Sequence, residues 1–237
     1  MRLVSYNIHK GIGGRDRRYR LDRVIEVIEH ENPDLVCLQE VSQHAPRCGR
    51  DDQSRILTDY FHAAGHLYQR NHDRGPGGYG NLMLSRWPIQ RHHQISLRFG
   101  MRKRRGAQIA VVDTPEGPLH LVNWHLGLAE TERHWQANHL LEHALFREAA
   151  DLPTLIAGDT NDWRNTLARG PFAAHEFQTS TAPPSRYRTF PAWMALGALD
   201  KAFHRGRITV LHARVISSAL ARRASDHLPL EIDFHLR

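Results

Sequence analysis

A short apolar run at residues 155–157 is followed by Gly-Asp-Thr-Asn-Asp, which places Asp159, Asn161 and Asp162 directly after a predicted strand. Buried polar groups need hydrogen-bond or charge partners, so a strand that ends in three carboxylate or amide side chains is unusual. Those partners could be a helix N-terminus, a metal ion or a substrate. The pattern therefore predicts a polar site at the end of this strand.

Other predicted strands carry side chains of the same kind, mostly where the strand ends. In open α/β sheets ligands bind outside strand ends, so these groups are expected to converge on one site. Carboxylate and amide oxygens without thiolate ligands suit Mg²⁺ or Mn²⁺ rather than Zn²⁺. Two histidines beside carboxylates suit proton transfer and stabilisation of a phosphate during its transfer. The residues concerned are Asn7, Glu40, His125, Asp200, Asp226 and His227.

The first third of the chain predicts a strand, a helix and a second strand. Residues 2–8 alternate as in a strand, and apolar residues recur from Leu21 at the i, i+3, i+4 and i+7 positions of one helix face. Residues 35–38 form a continuous apolar strand after Pro33. Such a βαβ unit favours a parallel strand pair that is covered on both faces.

The remaining sequence predicts mixed helices and strands without a repeat or a convincing linker, so one domain over residues 1–237 is expected. Asp51 or Asp52 is positioned to cap a second helix, and residues 164–198 are interpreted as irregular. The other predicted elements are a mobile loop at 74–78, strands at 79–85, 107–112 and 119–123, a turn at 114–118, a helix at about 130–149, and strands at 199–203, 208–216 and 230–236.

Composition limits the class of protein and its partners. The 237 residues are 41% hydrophobic, and no apolar run approaches the roughly 18 residues of a membrane span. Two cysteines, Cys37 and Cys48, do not indicate a disulfide framework, and no signal peptide is visible, so a cytoplasmic protein is expected. The net charge of +7 favours a polyanionic partner, either nucleic acid or an anionic membrane surface, over a merely soluble basic surface.

The ordered set of motifs resembles the endonuclease/exonuclease/phosphatase superfamily, the DNase I-like phosphoesterases, and within it the short bacterial-type branch. Each motif alone is common, whereas the whole set in this order spans residues 5–229. The set comprises Tyr6-Asn7-Ile8, Leu38-Gln39-Glu40, Gly78-Tyr79-Gly80-Asn81-Leu82-Met83-Leu84-Ser85, Asn123-Trp124-His125-Leu126, Gly158-Asp159-Thr160-Asn161, Leu199-Asp200 and Ser225-Asp226-His227.

The resemblance implies an α/β (α+β) four-layer sandwich, in which two mixed β-sheets pack face to face with helices outside. It implies that Glu40 is the principal Mg²⁺ ligand, with Asn7 and Asp226 close by, and that Mn²⁺ could replace Mg²⁺. In the same reading Asp159 orients or deprotonates the attacking water, and Asn161 holds a phosphate oxygen.

The resemblance also assigns the two histidines to the phosphate. His227 would contact it, with Asp200 fixing the tautomer of the imidazole and raising its pKa, and His125 would be the second histidine. Asp200 could instead pair with the neighbouring Lys201. Arg105, at the end of a run of four basic residues, is a further candidate for the substrate phosphate.

A few other residues near strand ends have a simpler interpretation. His9 and Lys10 follow the first strand and could lie at the rim of the site. Trp87, Trp124 and Trp163 are interpreted as packing residues.

The predicted reaction is divalent-metal-dependent hydrolysis of a phosphodiester, with nucleic acid as the first substrate candidate because of the basic charge. Glu40 is followed by Val41-Ser42 rather than by the Thr-Lys of abasic-site endonucleases, and the residues around Asp200 do not match inositol phosphatases. A phospholipid or head-group phosphodiesterase at a membrane surface is the second candidate. A non-catalytic nucleic-acid-binding module on the same fold is the alternative from another class. The sequence does not indicate an oligomeric state.

Overall fold

The computed structural model describes residues 1–75 and 77–237. The described strands are β1 Arg2–Asn7, β2 Leu35–Gln43, β3 Gly65–Arg74, β4 Gly77–Ser85, β5 Ile89–Ser96, β6 Gly106–Thr114, β7 Gly117–His125, β8 Thr154–Asp159, β9 Gln178–Thr179, β10 Asp200–Arg205, β11 Ile208–Val215 and β12 Leu230–Leu236. The described α-helices are α1 Leu21–Glu31, α2 Gln53–Tyr60, α3 Glu130–Glu142, α4 Ala144–Arg147, α5 Thr166–Arg169, α6 Pro171–Ala174 and α7 Ala221–Ala224.

Two six-stranded mixed sheets form the centre of the fold. Sheet 1 has the order β11-β12-β1-β2-β4-β3, and sheet 2 has the order β5-β6-β7-β8-β10-β9. Each sheet contains one parallel pair joined through helices, β1 with β2 in sheet 1 and β7 with β8 in sheet 2. The predicted α/β sandwich of two mixed sheets is therefore confirmed, and so is the predicted β1-α1-β2 unit.

Three buried clusters show how the layers pack. One cluster joins α1, α2 and α7 to the outer face of sheet 1, and Val24, Ile28 and Leu57 belong to it. A second cluster lies between the sheets and includes Leu3 and Leu121. A third joins the helices from α3 to α6 to the outer face of sheet 2. This order of helices, sheet, sheet and helices is the four-layer arrangement predicted from the sequence.

A layer of amide side chains bridges the two sheets where they approach the polar strand ends. Gln39 Nε2 donates to Asn123 Oδ1 at 2.8 Å, and Asn123 Nδ2 donates to Gln108 Oε1 at 2.8 Å. Asn81 Nδ2 donates to the carbonyl oxygen of Gly106 at 3.0 Å across the same gap. These groups are buried, so each unmade bond would be costly, and the layer fixes the sheets relative to each other.

Several sequence predictions need correction. The helix predicted at about 130–149 is two helices, because the backbone of His143 is extended and separates α3 from α4. The segment 164–198, interpreted as irregular, contains α5, α6 and the short β9. Residue 200, predicted to lie inside a strand, is the first residue of β10. The cap of α2 was predicted correctly, since Asp52 Oδ1 accepts a hydrogen bond from the Arg55 amide at 3.1 Å.

Besides the short β9, two longer strands escaped prediction, and both lie at sheet edges. β3 is an edge strand of sheet 1 and β5 an edge strand of sheet 2, and most residues of β5 are polar and exposed, with only Ile95 buried. The predicted mobile loop at 74–78 is wrong at both ends, because Arg74 ends β3 and Gly77 begins β4, while Pro76 lies outside the described residues. In the described part of the chain no helix is both long and apolar enough to cross a membrane.

Candidate active site

One row of residues crosses the end of sheet 2 in register. Gly106 of β6 lies opposite His125 of β7, His125 pairs with Asp159 of β8, and Asp159 lies opposite Asp200 of β10. These four residues are called the site row below. Sequence position separates them widely, so the strand pairing is what brings three of the predicted site residues together.

The Asp159 carboxylate is the centre of the site. Its Oδ2 accepts a hydrogen bond from Asn7 Nδ2 at 2.9 Å and lies 3.3 Å from His125 Nε2 and 3.7 Å from His227 Nε2. Its Oδ1 accepts from the Asn161 amide at 3.0 Å. Because Asn7 belongs to sheet 1 and Asp159 to sheet 2, this carboxylate joins the two sheets at the site.

His227 is held between two carboxylates. Its Nδ1 lies 2.8 Å from Asp200 Oδ2, and its Nε2 faces Asp159. The ring centroid of Phe190 lies 4.8 Å from that of His227 and covers one side of the imidazole. Lys201, the alternative partner of Asp200, instead donates to the carbonyl oxygen of Asp162 at 2.8 Å. Of the two pairings considered for Asp200, the structure contains the one with histidine.

The two site histidines have opposite pKa shifts. Burial alone would lower the pKa of His227, but the charges of Asp200 and Asp159 outweigh it and raise the value to about 10. Burial and the charge of Arg105 lower the pKa of His125 well below its usual range. Burial and the like charge of Asp200 raise the pKa of Asp159 to about 6, against the opposing effect of His227. At neutral pH His227 is therefore an imidazolium and His125 a neutral imidazole.

Glu40 reaches the site through a β-bulge in β2. The pairing of β2 with β4 shifts between Leu38 and Val41, and Glu40 has a φ of +58°, which side chains rarely adopt. The Glu40 carboxylate pairs with the ammonium group of Lys10. Burial would raise the pKa of Glu40, but Lys10, His125 and Lys103 together hold it below its ordinary value.

Asn7 and Asp226 lie beside each other at the end of β1. The Asn7 carbonyl oxygen accepts from Ser225 Oγ at 2.7 Å, and Asn7 Oδ1 accepts from the His9 amide at 3.1 Å. Asp226 Oδ1 lies 3.8 Å from His9 Nδ1. In the β1–β2 pairing Asn7 lies opposite Gln39, the residue before Glu40. The three predicted metal-ligand residues thus surround the end of one parallel strand pair.

Asn161 and Arg105 both lie close to His125. Asn161 has a φ of +51°, and one of its amide hydrogens bonds the carbonyl oxygen of Leu126 at 3.0 Å, which leaves its other amide hydrogen available. Arg105 precedes Gly106 of the site row and is buried, and within the described residues its Nε has no hydrogen-bond partner. A buried guanidinium nitrogen of this kind suits an anionic ligand.

Asp162 is the last residue of the Asp159–Asp162 segment, and its carboxylate contacts residues outside the candidate site. Its Oδ2 accepts from the Leu167 amide of α5 at 3.1 Å, and its Oδ1 lies 3.7 Å from Arg133 Nη2. Two carboxylates three residues apart therefore have separate tasks, and that of Asp162 is to fix the loop after β8.

Two sets of side chains could hold a cation. One atom each from Asp159, Asp200 and His227 lie within 4.8 Å of one another. A cation on this set would have to displace the proton that Asp200 and Asp159 hold on His227, because a histidine must be neutral to bind a metal. The second set is Asn7, Glu40 and Asp226, whose oxygens suit a hard cation. The ammonium of Lys10 already pairs with Glu40, which shows that this carboxylate accepts a cationic partner.

Sequence reasoning did not identify one neighbour of the site and identified only part of the role of two others. It placed Lys10 at the rim without pairing it with Glu40, and it did not single out Phe190, which contacts His227. Trp163 does pack, as interpreted, because its ring centroid lies 6.0 Å from that of Phe190, but 54% of its surface is also exposed beside the site. Trp124, by contrast, is fully buried as expected.

The two-sheet sandwich, with its polar site at the sheet ends, defines a phosphoesterase-type hydrolase fold of the DNase I-like class. The chain belongs to the Endonuclease/Exonuclease/phosphatase family, whose model matches residues 4–227. It is 29% identical to the uncharacterized protein YbhP of Escherichia coli strain K12 over 250 residues, which cover 99% of this chain and 96% of YbhP.

Solved structures of the same family have this fold. An endonuclease/exonuclease/phosphatase from Beutenbergia cavernae superposes with a TM-score of 0.84 at 24% identity, covering 100% of this chain and 71% of that one. A mannosyl-6-phosphatase from Bacteroides thetaiotaomicron gives 0.74 at 16% identity, covering 99% of both chains. A humanized D. rerio TDP2 gives 0.74 at 21% identity, covering 99% of this chain and 98% of that one.

Proposed function

We propose that this protein is a divalent-metal-dependent phosphoesterase that hydrolyses a phosphodiester by attack of water. The observation that carries the proposal is the Asp159 carboxylate, which lies within 3.7 Å of the side chains of Asn7, His125 and His227. A carboxylate held between an amide, a neutral histidine and a cationic histidine is suited to orienting a nucleophile beside a developing negative charge.

Each side chain has a defined task in this proposal. Asp159, with a pKa of about 6, is ionised at neutral pH and accepts the proton of the attacking water. The His227 imidazolium, fixed by Asp200, stabilises charge on the phosphate oxygens. His125 donates one hydrogen bond to the same phosphate, and the free amide hydrogen of Asn161 donates another. Arg105 adds a positive charge on the His125 side.

Glu40, Asn7 and Asp226 would hold the Mg²⁺ or Mn²⁺ ion. A divalent cation bound there supplies Lewis-acid stabilisation of charge on the phosphate oxygens. Asp200 and His227 remain committed to each other through their 2.8 Å contact, so they serve the phosphate rather than the metal.

Two substrate classes fit the reaction. The net charge of +7 favours nucleic acid, as predicted from the sequence, and it equally suits an anionic phospholipid head group. The exposed apolar side chains beside the site, described in the next subsection, favour the phospholipid. A mannosyl-6-phosphatase shares this fold at 16% identity, so a phosphomonoester also belongs among the substrates to be tested.

A non-catalytic nucleic-acid-binding module remains the alternative from another class. Such a module tolerates the loss of site residues, whereas every residue of the predicted catalytic and metal sets is present. Both carboxylate oxygens of Asp159 also accept hydrogen bonds. The presence of the complete set supports the enzyme.

The test is a panel of phosphoesters assayed with Mg²⁺ and with Mn²⁺, with Glu40→Ala as the blank. The panel contains plasmid DNA, single-stranded DNA and RNA, dispersed phosphatidylglycerol and a sugar phosphate. We expect turnover of at least one phosphodiester that is lost in Glu40→Ala. Binding of nucleic acid without turnover of any member, with either ion, would support the binding module instead.

A further inference from the structure

Exposed apolar side chains concentrate around the candidate site. Among the described residues ten large apolar side chains are exposed, and six of them lie in loops at the site end of sheet 2. Exposed apolar groups in one area usually mark a surface that contacts another molecule. The six, called the apolar rim below, are Met101, Leu128, Trp163, Trp193, Met194 and Leu196.

The strand pairing explains why these residues share one edge. Each loop that enters or leaves the site row contributes to the rim. Met101 lies in the loop before β6, Leu128 follows β7, and Trp163 follows β8. The remaining three belong to residues 190–197, the turn that precedes β10, which is called the apolar turn below.

The apolar turn is closed by its own backbone. Phe190 pairs with Gly197 in an antiparallel bridge, and the Gly197 amide donates to the Phe190 carbonyl oxygen at 2.7 Å. The Ala195 amide donates to the Pro191 carbonyl oxygen at 2.7 Å. These bonds hold Met194 and Leu196 outward, with 60% and 55% of their surfaces exposed.

The apolar turn also contacts the catalytic residues directly. The ring of Phe190 packs on His227, and the Ala192 amide donates to the Asp226 carbonyl oxygen at 2.7 Å. Trp163 packs against Phe190 from the other side. Whatever the apolar rim binds is therefore held next to the Asp159 site.

Charge is distributed unevenly along this edge. The ten residues 190–199 contain no charged side chain, whereas Met101 is followed at once by Arg102, Lys103 and Arg104. Apolar side chains flanked by cationic ones are typical of segments that lie in the interface of an anionic membrane, where aromatic and aliphatic groups enter and the cations meet lipid phosphates.

We propose that the apolar rim docks this protein on an anionic phospholipid bilayer, so that the phosphodiester it hydrolyses belongs to a lipid head group. The proposal rests on the phosphodiesterase activity proposed above. The apolar turn enters the interfacial region, and the loop of Arg102 and Arg104 contacts neighbouring head groups. Docking by this edge presents the lipid phosphates to Asp159 and His227.

Nucleic acid is a less suitable partner for the apolar rim than a lipid bilayer. A tryptophan can stack on a base, but Met194 and Leu196 offer neither a planar ring nor a donor for a phosphate. Their aliphatic surfaces gain free energy by leaving water, which a hydrocarbon interface allows. The apolar turn also lacks the lysine or arginine that a phosphate-tracking loop needs.

The experiment is sedimentation of the full chain with phosphatidylglycerol-containing vesicles and with vesicles of phosphatidylcholine alone. The test variant is Met194→Ser with Leu196→Ser. The matched control is Ile56→Ser with Leu211→Ser, which removes two exposed aliphatic side chains from α2 and β11. Hydrolysis of soluble bis(p-nitrophenyl) phosphate is measured for all three proteins, because that reaction does not require docking.

We expect the wild type to bind the anionic vesicles and the test variant to bind them on the order of tenfold more weakly, as the loss of two inserted side chains predicts. The control double variant should bind as the wild type does, and all three should hydrolyse the soluble ester equally. Vesicle binding that is absent in the wild type, or unchanged in the test variant, would overturn the docking proposal.

Two further outcomes separate docking from catalysis. Hydrolysis of the soluble ester without any vesicle binding leaves the proposed function intact and overturns docking. Vesicle binding that depends on the apolar turn, without hydrolysis of any ester, supports docking and overturns the proposed function. If the wild type does not bind vesicles and the test variant binds single-stranded DNA more weakly than the wild type, the apolar rim is a nucleic-acid-binding surface and the docking proposal is wrong.

Discussion

His227 Nδ1 and Asp200 Oδ2 lie 2.8 Å apart in a buried environment, and this contact fixes which imidazole nitrogen faces Asp159. Asp200 reaches this position because β10 begins directly opposite the last residue of β8. The like charges of Asp159 and Asp200 would repel each other across that pair, and the His227 imidazolium between them compensates. At neutral pH the three residues form one unit of two carboxylates and one imidazolium with a net charge of −1, in which the imidazolium offsets one of the two negative charges.

Replacing Asp200 with Asn should lower the pKa of His227 from about 10, because Asp200 is the leading cause that raises it. The His227 imidazole is charged below its pKa. Activity of Asp200→Asn should therefore decline as pH rises through the lowered pKa of His227, whereas wild-type activity should not decline in that pH range. NMR titration of the His227 ring in metal-free protein and a pH–rate profile check this. An unchanged pKa with the same loss of rate would assign Asp200 a purely steric role.

Replacing His125 should reduce kcat by about 10²–10⁴-fold, the usual scale for a group that acts on the reacting atoms. The same strand offers a matched control, because His120 of β7 is also buried but pairs with Thr154 Oγ1 at 3.2 Å, away from the site. His125→Gln and His120→Gln are compared under saturating substrate. Equal losses in both variants would mean that burial, and not contact with Asp159, explains the effect.

His120 should make the protein sensitive to mild acid. Burial and the charges of Arg205 and Arg91 lower its pKa to about 4, below the ordinary value of 6.5. In this pH range the folded state therefore binds fewer protons than the unfolded chain. The contribution of His120 to the free energy of unfolding is complete above about pH 6.5 and is lost as pH falls towards 4. The loss amounts to about 3 kcal/mol in the free energy of unfolding.

Urea unfolding of wild type and His120→Gln at several pH values between these limits measures that loss. The variant should show a smaller decrease in stability on acidification, and the difference between the two proteins should narrow as pH falls. Parallel pH dependences would show that His120 takes up its proton equally well in the folded state.

Lys10 should compete with Mg²⁺ for Glu40. Its ammonium pairs with the carboxylate, so Lys10→Met removes the competitor and should tighten Mg²⁺ binding by on the order of tenfold. Without Mg²⁺ the same variant should be less stable than wild type, because the partly buried Glu40 carboxylate has lost its partner. Isothermal titration and the rise in Tm with added Mg²⁺ measure the two effects, and Glu40→Gln provides the control without the charged carboxylate. Weaker Mg²⁺ binding by Lys10→Met would contradict competition.

The sequence predicted the residues at the ends of the buried strands better than it predicted their partners. Asn7, His125 and Asp159 could be found because each follows an apolar run. The pairing of Asp159 with Asp200 depends on antiparallel register between strands some 40 residues apart, which no local pattern encodes. The bulge that turns Glu40 towards the site is likewise a property of the β2–β4 pairing.

The other elements that could not be predicted from the sequence also have physical explanations. β3 and β5 are edge strands rich in polar residues, so they lack the apolar alternation that reveals a half-buried strand. The apolar turn contains Trp193, Met194 and Leu196 in a stretch whose composition indicates burial. The backbone bonds between Phe190 and Gly197 close this turn, and the structure then leaves Met194 and Leu196 exposed.

The most direct test of the account is hydrolysis of bis(p-nitrophenyl) phosphate by wild type and Asp159→Asn, with and without EDTA. The substitution keeps the shape of the side chain and removes the charge that accepts the proton of water. We predict turnover by wild type that EDTA abolishes and that Mg²⁺ or Mn²⁺ restores, with a loss of about 10²–10⁴-fold in Asp159→Asn. Turnover that survives both EDTA and the substitution would contradict the proposed role of Asp159 and of the metal.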